Sequence, residues 1–326
     1  MKSICIFAHF NKNNNLEDYV IDYLNTIKEL VDEVIFVSTS EIDKEKKILL
    51  SNIVSEIIIK ENQGYDFGSW KEGLLFVKNN YINLPNEIIL CNDSCYIAKN
   101  SLKQAISSMR INKKLDFWGI TSNYSFGLHI QSYFISLNSR PINDKKFWDL
   151  VDSWEHENRK LNYILKYEIG LSKFLINQKY KMGSYIKLSF TRLSILSLKY
   201  KIIFINQYLR NAIKYLLAKI LINNKNNENN KNLEKIEKLK PNLFLKKRDF
   251  QDIIKVFNIF LLQPFNANLL YLDFKDAMKI DSPFLKVSKV KDIIEKEGFN
   301  NLKRLCIKKG FNYKHIFEHQ NNIYKF

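Results

Sequence analysis

Apolar and polar positions in the first half of this chain switch repeatedly between two periods. Residues 3–10 form a continuous apolar run rich in β-formers. Residues 16–31 then place Val20, Ile21, Leu24, Ile27, Leu30 and Val31 at helical spacing. The alternation continues, with strands expected at 33–37, 55–60 and 87–90 and helices at 42–53, 68–79 and 101–110. Residues 116–121 and 129–137 read as further strands, the second carrying His129, Gln131 and Tyr133 on one face. Strands alternating with helices of about 10 to 15 residues indicate βαβ units. The expected fold class is therefore α/β, a Rossmann-like, mostly parallel sheet with helices on both faces.

Beyond residue 140 the helical period dominates, with helices expected at 145–157 and 161–178. Residues 196–222 carry an apolar stripe through Leu198, Ile202, Ile205, Leu209, Ala212, Leu216 and Ile220. An Asn-rich polar stretch at 223–232 reads as a linker, and 233–326 as a small helical C-terminal region. The resulting division is 1–187, a ligand-binding and catalytic domain; 188–222, a basic amphipathic segment; 223–232, the linker; and 233–326.

Charge sharpens this picture. The net charge is +17, and the stretch 169–227, which has no Asp or Glu, supplies eleven of the excess positive charges. A basic excess this local suits a polyanionic surface, either membrane or nucleic acid. An apolar stripe in a basic segment suits a helix lying on an anionic membrane, and equally a helix packed on the protein itself. Signatures of nucleic-acid-binding motifs do not occur, so no nucleic-acid partner is expected. The opening apolar run is too short for a signal core, and no window has the roughly 18 to 20 apolar residues that span a bilayer. Cys5, Cys91, Cys95 and Cys306 fit neither a zinc spacing nor a disulfide framework and suggest reduced thiols. These features together suggest a cytoplasmic protein, peripheral on the inner face of the cell membrane.

In parallel sheets ligands sit beyond the C-terminal strand ends. Three polar clusters fall there: His9, residues 62–66 (Asn62, Gly64 and Asp66 among them), and Asn92-Asp93-Ser94. Glycines at a strand-to-helix turn let backbone approach a ligand, and the helix N-terminus favours an anion. The spacing is neither GxGxxG nor a P-loop, and a purely structural turn reads equally well. A carboxylate at Asp93 can hold a Mg²⁺ or Mn²⁺ ion that bridges a diphosphate, or can cap the next turn. Glu168 suits a general base, although a solvated helix glutamate has the same spacing. His129 and Gln131 could hydrogen-bond sugar hydroxyls. Trp118 could offer a sugar platform or belong to the core.

The order of Phe7-Ala8-His9-Phe10, the 62–69 run, Asn92-Asp93-Ser94, residues 116–121, 129–134 and 167–172 resembles that of the rhamnan synthesis protein F family. Pro283-Phe284-Leu285-Lys286-Val287 is similar to that family's C-terminal motif. A more distant likeness is to family-2 glycosyltransferases of the GT-A type, whose Asn-x-Gly loop is matched by Asn62 and Gly64. Asp93 falls on their Asp-x-Asp, with only one acid retained, and Glu168 on their later acidic residue. The resemblance implies a GT-A-like fold and an inverting hexosyltransferase that extends a cell-surface polysaccharide such as a capsule, a lipopolysaccharide O-antigen or a rhamnan. It implies a nucleotide-sugar donor, dTDP-rhamnose by family alone, and a lipid-linked or glycan acceptor. Glu168 and Asp93 would be catalytic. His9, Asn62, Gly64, Asp66, Asn92, Asp93 and Ser94 would bind the donor, and Trp118, His129 and Gln131 the sugar or acceptor. Asp93 would be the metal ligand. Two rivals follow: the missing second acid suits an inert glycan-binding or scaffold protein, and the net charge of +17 suits a basic nucleic-acid-binding protein.

Overall fold

β1 (Ser3–His9) is buried along its whole length. A strand with no solvent-facing side belongs inside a sheet covered on both faces. In the computed structural model β1 lies between two parallel neighbours, β2 (Glu33–Ser38) and β4 (Glu87–Asn92), and β3 (Glu56–Ile59) extends the parallel set beyond β2. On the other side β9 (Phe134–Asn138) runs antiparallel to β4 and to β6 (Phe117–Gly119), and β10 (Met182–Ser184) is parallel to β6. Among the described residues the sheet order is β10-β6-β9-β4-β1-β2-β3. The structure describes residues 2–112, 114–123, 127–157, 160–186 and 281–324. The basic segment 188–222, the linker 223–232 and the first part of 233–326 lie outside the described residues.

Successive side chains of β1 enter different cores, as strand geometry requires. Cys5 and Phe7 pack with α1 (Asp18–Lys28), α2 (Lys44–Ser51) and α4 (Lys99–Ile111). Ile4, Ile6 and Ala8 pack with α3 (Tyr65–Asn80) and α6 (Lys145–Asp152). The expected mostly parallel sheet with helices on both faces is therefore present. At about 25 cal/mol per Å² of apolar surface, these two cores are the main source of stability.

The structure corrects three local expectations. Residues 129–137 are not one strand. β8 (His129–Ile130) pairs with β7 (Ser122–Asn123) in a separate two-stranded sheet, and β9 starts only at Phe134. The break is a buried polar knot. Gln131 N donates to Thr121 O at 3.1 Å, and Thr121 Oγ1 bonds Gln131 Oε1 at 2.8 Å and Tyr133 Oη at 2.6 Å. Trp118 offers no sugar platform: it is 1% exposed and packs on Phe134 in the core. Residues 161–178 are not one regular helix. Between α7 (Lys160–Tyr163) and α8 (Ile169–Asn177) lies a π-helical turn, Ile164–Glu168. Such turns redirect side chains within a helix.

A short strand missing from the sequence reading, β5 (Cys95–Ile97), follows Asp93-Ser94 directly. It pairs antiparallel with β11 (Phe284–Lys286). The helices expected near the C-terminus follow as α9 (Val287–Glu297), α10 (Phe299–Lys309) and α11 (Tyr313–Tyr324). They close a third core around Tyr96, Leu285, Val290, Leu302 and Cys306. Residues 281–324 thus fold in one compact unit with the N-terminal sheet. The four cysteines are free and buried. No helix among the described residues is long and apolar enough to cross a membrane.

Candidate active site

The parallel register brings the ends of β1, β2 and β4 together, with Ala8 opposite Asn92 and His9 opposite Ser38. Asp93 leaves this edge and fastens it. Its amide donates to Ala8 O at 3.3 Å, its Oδ2 accepts from Phe10 N at 2.8 Å, and its carbonyl accepts from Tyr19 Oη at 3.0 Å. Burial pushes the Asp93 carboxyl up to about 7; the Phe10 amide opposes the rise, the nearby Asp66 carboxylate adds to it, and the Lys286 ammonium opposes it.

The 62–66 loop reaches the same edge. Gly64, with φ at 93°, precedes α3. That φ is open to glycine and costly for other residues. A Cβ on Gly68 would lie 2.3 Å from Gln63 O, so glycine is also required there by close backbone approach. Tyr65 holds φ of 50°, unusual for a bulky residue and of a kind that clusters at ligand loops. Asp66, in the first turn of α3, accepts from Asn92 Nδ2 at 2.7 Å. Asn92 Oδ1 accepts from Ser94 N at 3.2 Å and from Ser94 Oγ at 2.5 Å. Lys286 Nζ donates to Ser94 Oγ at 2.7 Å. Asp66, Asn92, Ser94 and Lys286 therefore form one polar chain beside Asp93. Asn62 is exposed on the same loop. His9 is buried, its Nδ1 2.9 Å from Ser38 Oγ, and burial lowers its pKa to about 4, opposed by a hydrogen bond that the ring donates to the Asn15 backbone. It ties the end of β1 to that of β2, and this burial runs against the expectation that His9 binds the donor.

Glu168 closes the π-helical turn and is largely buried. Its Oε2 accepts from Ser132 Oγ at 2.7 Å, and its Oε1 is 3.6 Å from His129 Nε2. His129 Nδ1 lies 2.8 Å from Gly127 O, and a carbonyl only accepts, so Nδ1 carries the proton and Nε2 faces Glu168. His129 and Gln131 are themselves buried. They do not line a sugar-facing row: His129 turns to Glu168 and Gln131 to Thr121.

The register relates the two carboxylates. Cys91 of β4 pairs with Phe134 of β9. Asp93 lies two positions beyond Cys91, and Ser132, which holds Glu168, two positions before Phe134. Antiparallel neighbours place these at one sheet edge. Burial drives the Tyr133 phenol well above its usual range; the Thr121 hydrogen bond opposes the rise, and Cys95 and Glu168 add to it. Gly64 and Tyr167, the neighbour of Glu168, line one cavity with Lys60, Lys71, Trp154 and Tyr163. Neither carboxylate lines that cavity.

The donor set fits a divalent cation. Mg²⁺ is usually held by one or two carboxylates plus phosphate oxygens and water. Asp93 and Asp66 supply two carboxylates whose mutual repulsion a cation would relieve. The sequence reading missed Tyr19, Ser132 and Lys286 as members of this edge. Ser132 and Lys286 carried a signal, their places in the 129–134 and 283–287 motifs, and Tyr19 carried none.

The sequence model of the rhamnan synthesis protein F family matches residues 34–246. The uncharacterized protein y4gN of Sinorhizobium fredii is 28% identical over 147 residues, which are 43% of this chain and 37% of that relative's length. Among solved structures, a mannosyltransferase from Pyrobaculum calidifontis, in complex with GDP-Man and Mn²⁺, aligns with a TM-score of 0.37 and 8% identity. The alignment covers 56% of this chain and 54% of the other. Glucosyl-3-phosphoglycerate synthase from Mycobacterium tuberculosis aligns at a TM-score of 0.38 and 9% identity, over 59% of this chain and 75% of that one.

Proposed function

The chain belongs to the rhamnan synthesis protein F family, and from that premise we propose that it is an inverting glycosyltransferase that extends a cell-surface polysaccharide. The donor is a nucleotide sugar, dTDP-rhamnose being what the family name suggests. The acceptor is a glycan or lipid-linked glycan of a rhamnan, capsule or O-antigen. The observation that supports this most is the polar cluster at the end of β4, where Asp66, Asn92 and Ser94 are hydrogen-bonded in series beside Asp93. The proposed base, Glu168, is held by Ser132 in the segment that leads into the neighbouring strand β9.

The chemistry is a single displacement. Glu168 accepts the proton of the acceptor hydroxyl as that oxygen bonds to the anomeric carbon. The bond from that carbon to the diphosphate oxygen breaks, and the nucleoside diphosphate leaves with the electron pair. Ser132 holds Glu168 in orientation, and His129 sets the field on its other oxygen. Asp93 and Asp66 would hold a Mg²⁺ or Mn²⁺ ion, which supplies charge to the leaving diphosphate when bound. The Gly64 loop and the start of α3 face the donor phosphates, where a helix N-terminus favours an anion.

The basic segment 188–222 is proposed to lie on the inner face of the membrane, bringing the site to a lipid-linked acceptor. Flotation with anionic liposomes checks this; absence of binding removes the membrane claim.

A panel of nucleotide sugars screened by thermal shift tests the donor claim, because a bound donor raises the melting temperature. A positive sugar is then assayed for transfer or hydrolysis. Failure of every nucleotide sugar to bind would contradict the reading. Binding without turnover would favour an inert glycan-binding protein.

A further inference from the structure

We propose that Lys286 is a ligand for the donor diphosphate, delivered to the strand ends by the C-terminal region. This inference rests on the glycosyltransferase reading and names a residue which that reading's Asp93 and Glu168 do not require.

Three observations carry it. The first is placement. Lys286 is opposite Cys95 in the β5–β11 pair, and Val287 N donates to Ser94 O at 3.1 Å. The lysine is thus locked beside the Asp93-Ser94 turn, although 192 residues separate it from Ser94. The second is anchoring. Phe284, two residues earlier, is buried in the N-terminal core, where its ring meets those of Tyr23, Tyr133 and Phe134. A strand held by such packing presents its lysine from a fixed backbone. The third is charge. The edge carries two carboxylates, Asp66 and Asp93, and a diphosphate arriving there would be repelled without a cation. An ammonium has three donors, enough to hold Ser94 Oγ and a phosphate oxygen together. It would also neutralise charge that develops on the leaving group. β11 and helices α9, α10 and α11 then form part of the donor site, because they fix this residue.

The test measures binding of inorganic pyrophosphate by titration calorimetry, on the full chain, once in EDTA and once in Mg²⁺. The wild type is compared with Lys286→Met, Lys286→Gln and Lys286→Arg. Lys291→Met serves as a control, because Lys291 pairs with Glu295 on α9. Loss of a charge-assisted bond predicts at least about tenfold weaker pyrophosphate binding in Lys286→Met and Lys286→Gln, in EDTA as well as in Mg²⁺. Lys286→Arg keeps most of the affinity, and Lys291→Met matches wild type. Unchanged melting temperature shows that the variants fold. Equal binding by Lys286→Met, Lys286→Gln and wild type overturns the assignment while leaving the glycosyltransferase reading intact. Binding that requires Mg²⁺ and is indifferent to residue 286 overturns it as well. Failure of wild type to bind pyrophosphate in either buffer also overturns it; the nucleotide-sugar panel judges the broader reading separately.

Discussion

Ser132 Oγ donates to Glu168 Oε2 at 2.7 Å, from the segment that leads into the strand beside Asp93. A residue between two short strands thereby fixes the carboxylate assigned as base. Ser132→Ala should lower kcat by about fivefold, the cost of one ordinary hydrogen bond, with little change in donor KM. Ser132→Thr, which keeps the hydroxyl, should restore most of it. Steady-state kinetics checks both, and a Ser132→Ala enzyme with unaltered kcat would remove the positioning role.

Gly68 tolerates no side chain, because a Cβ would meet Gln63 O at 2.3 Å. Gly68→Ala should destabilise the fold by about 1 to 3 kcal/mol, as overpacking does. It should also displace the loop that carries Asp66. A lower melting temperature, together with a reduced thermal shift from the donor, is the expected pair of results.

Asp93 titrates near 7 because burial disfavours its charge. Its folded pKa stands above its ordinary 3.8. The folded state therefore holds an extra proton between about 4 and 7, and stability from this group falls as pH rises through that window. Asp93→Asn, always neutral, should gain melting temperature relative to wild type on going from pH 4 to pH 8. A bound divalent cation favours the charged form, so Mg²⁺ should stabilise wild type more at pH 8 than at pH 6. A constant difference between Asp93→Asn and wild type across this range would exclude the raised pKa.

His319 acts with the opposite sign. Tyr96 Oη lies 2.6 Å from His319 Nδ1 and accepts from Gln320 Nε2 at 2.8 Å. The Tyr19 ring, whose hydroxyl holds Asp93 O, packs on both Tyr96 and His319. Burial lowers the His319 pKa from 6.5 to about 4. A neutral buried histidine supports the fold above pH 6.5, and that support is lost as pH falls towards 4. His319→Gln should show a shallower loss of melting temperature than wild type over this window. Tyr96→Phe should cost about 1 to 2 kcal/mol, since it strands the polar atoms of His319 and Gln320.

The alternation of residues 3–110 foretold the strands and helices of the parallel sheet, because β1, β2 and β4 are buried apolar runs and α1 and α4 bury one face, while β3 at the sheet's edge is partly exposed. Asp66, Asn92, Asp93 and Ser94 were legible as strand-end polar residues. What period could not foretell was the antiparallel half. Gln131 and Tyr133 look like alternating strand positions, yet their side chains converge on Thr121 and break the strand. Trp118 has the chemistry of a sugar platform and the burial of a core residue. The π-helical turn before Ile169 follows a helical pattern locally. Lys286 was hidden for another reason: its role depends on β11 pairing with β5, a contact between distant parts of the chain that no local pattern encodes.

The central claim is proton abstraction at Glu168 during sugar transfer. Transfer by purified Glu168→Gln, with its melting temperature and donor binding shown to match wild type, tests it most directly. Loss of turnover by about a hundredfold or more, the scale of general-base catalysis, is predicted. Transfer at the wild-type rate by a folded, donor-binding Glu168→Gln protein would contradict it.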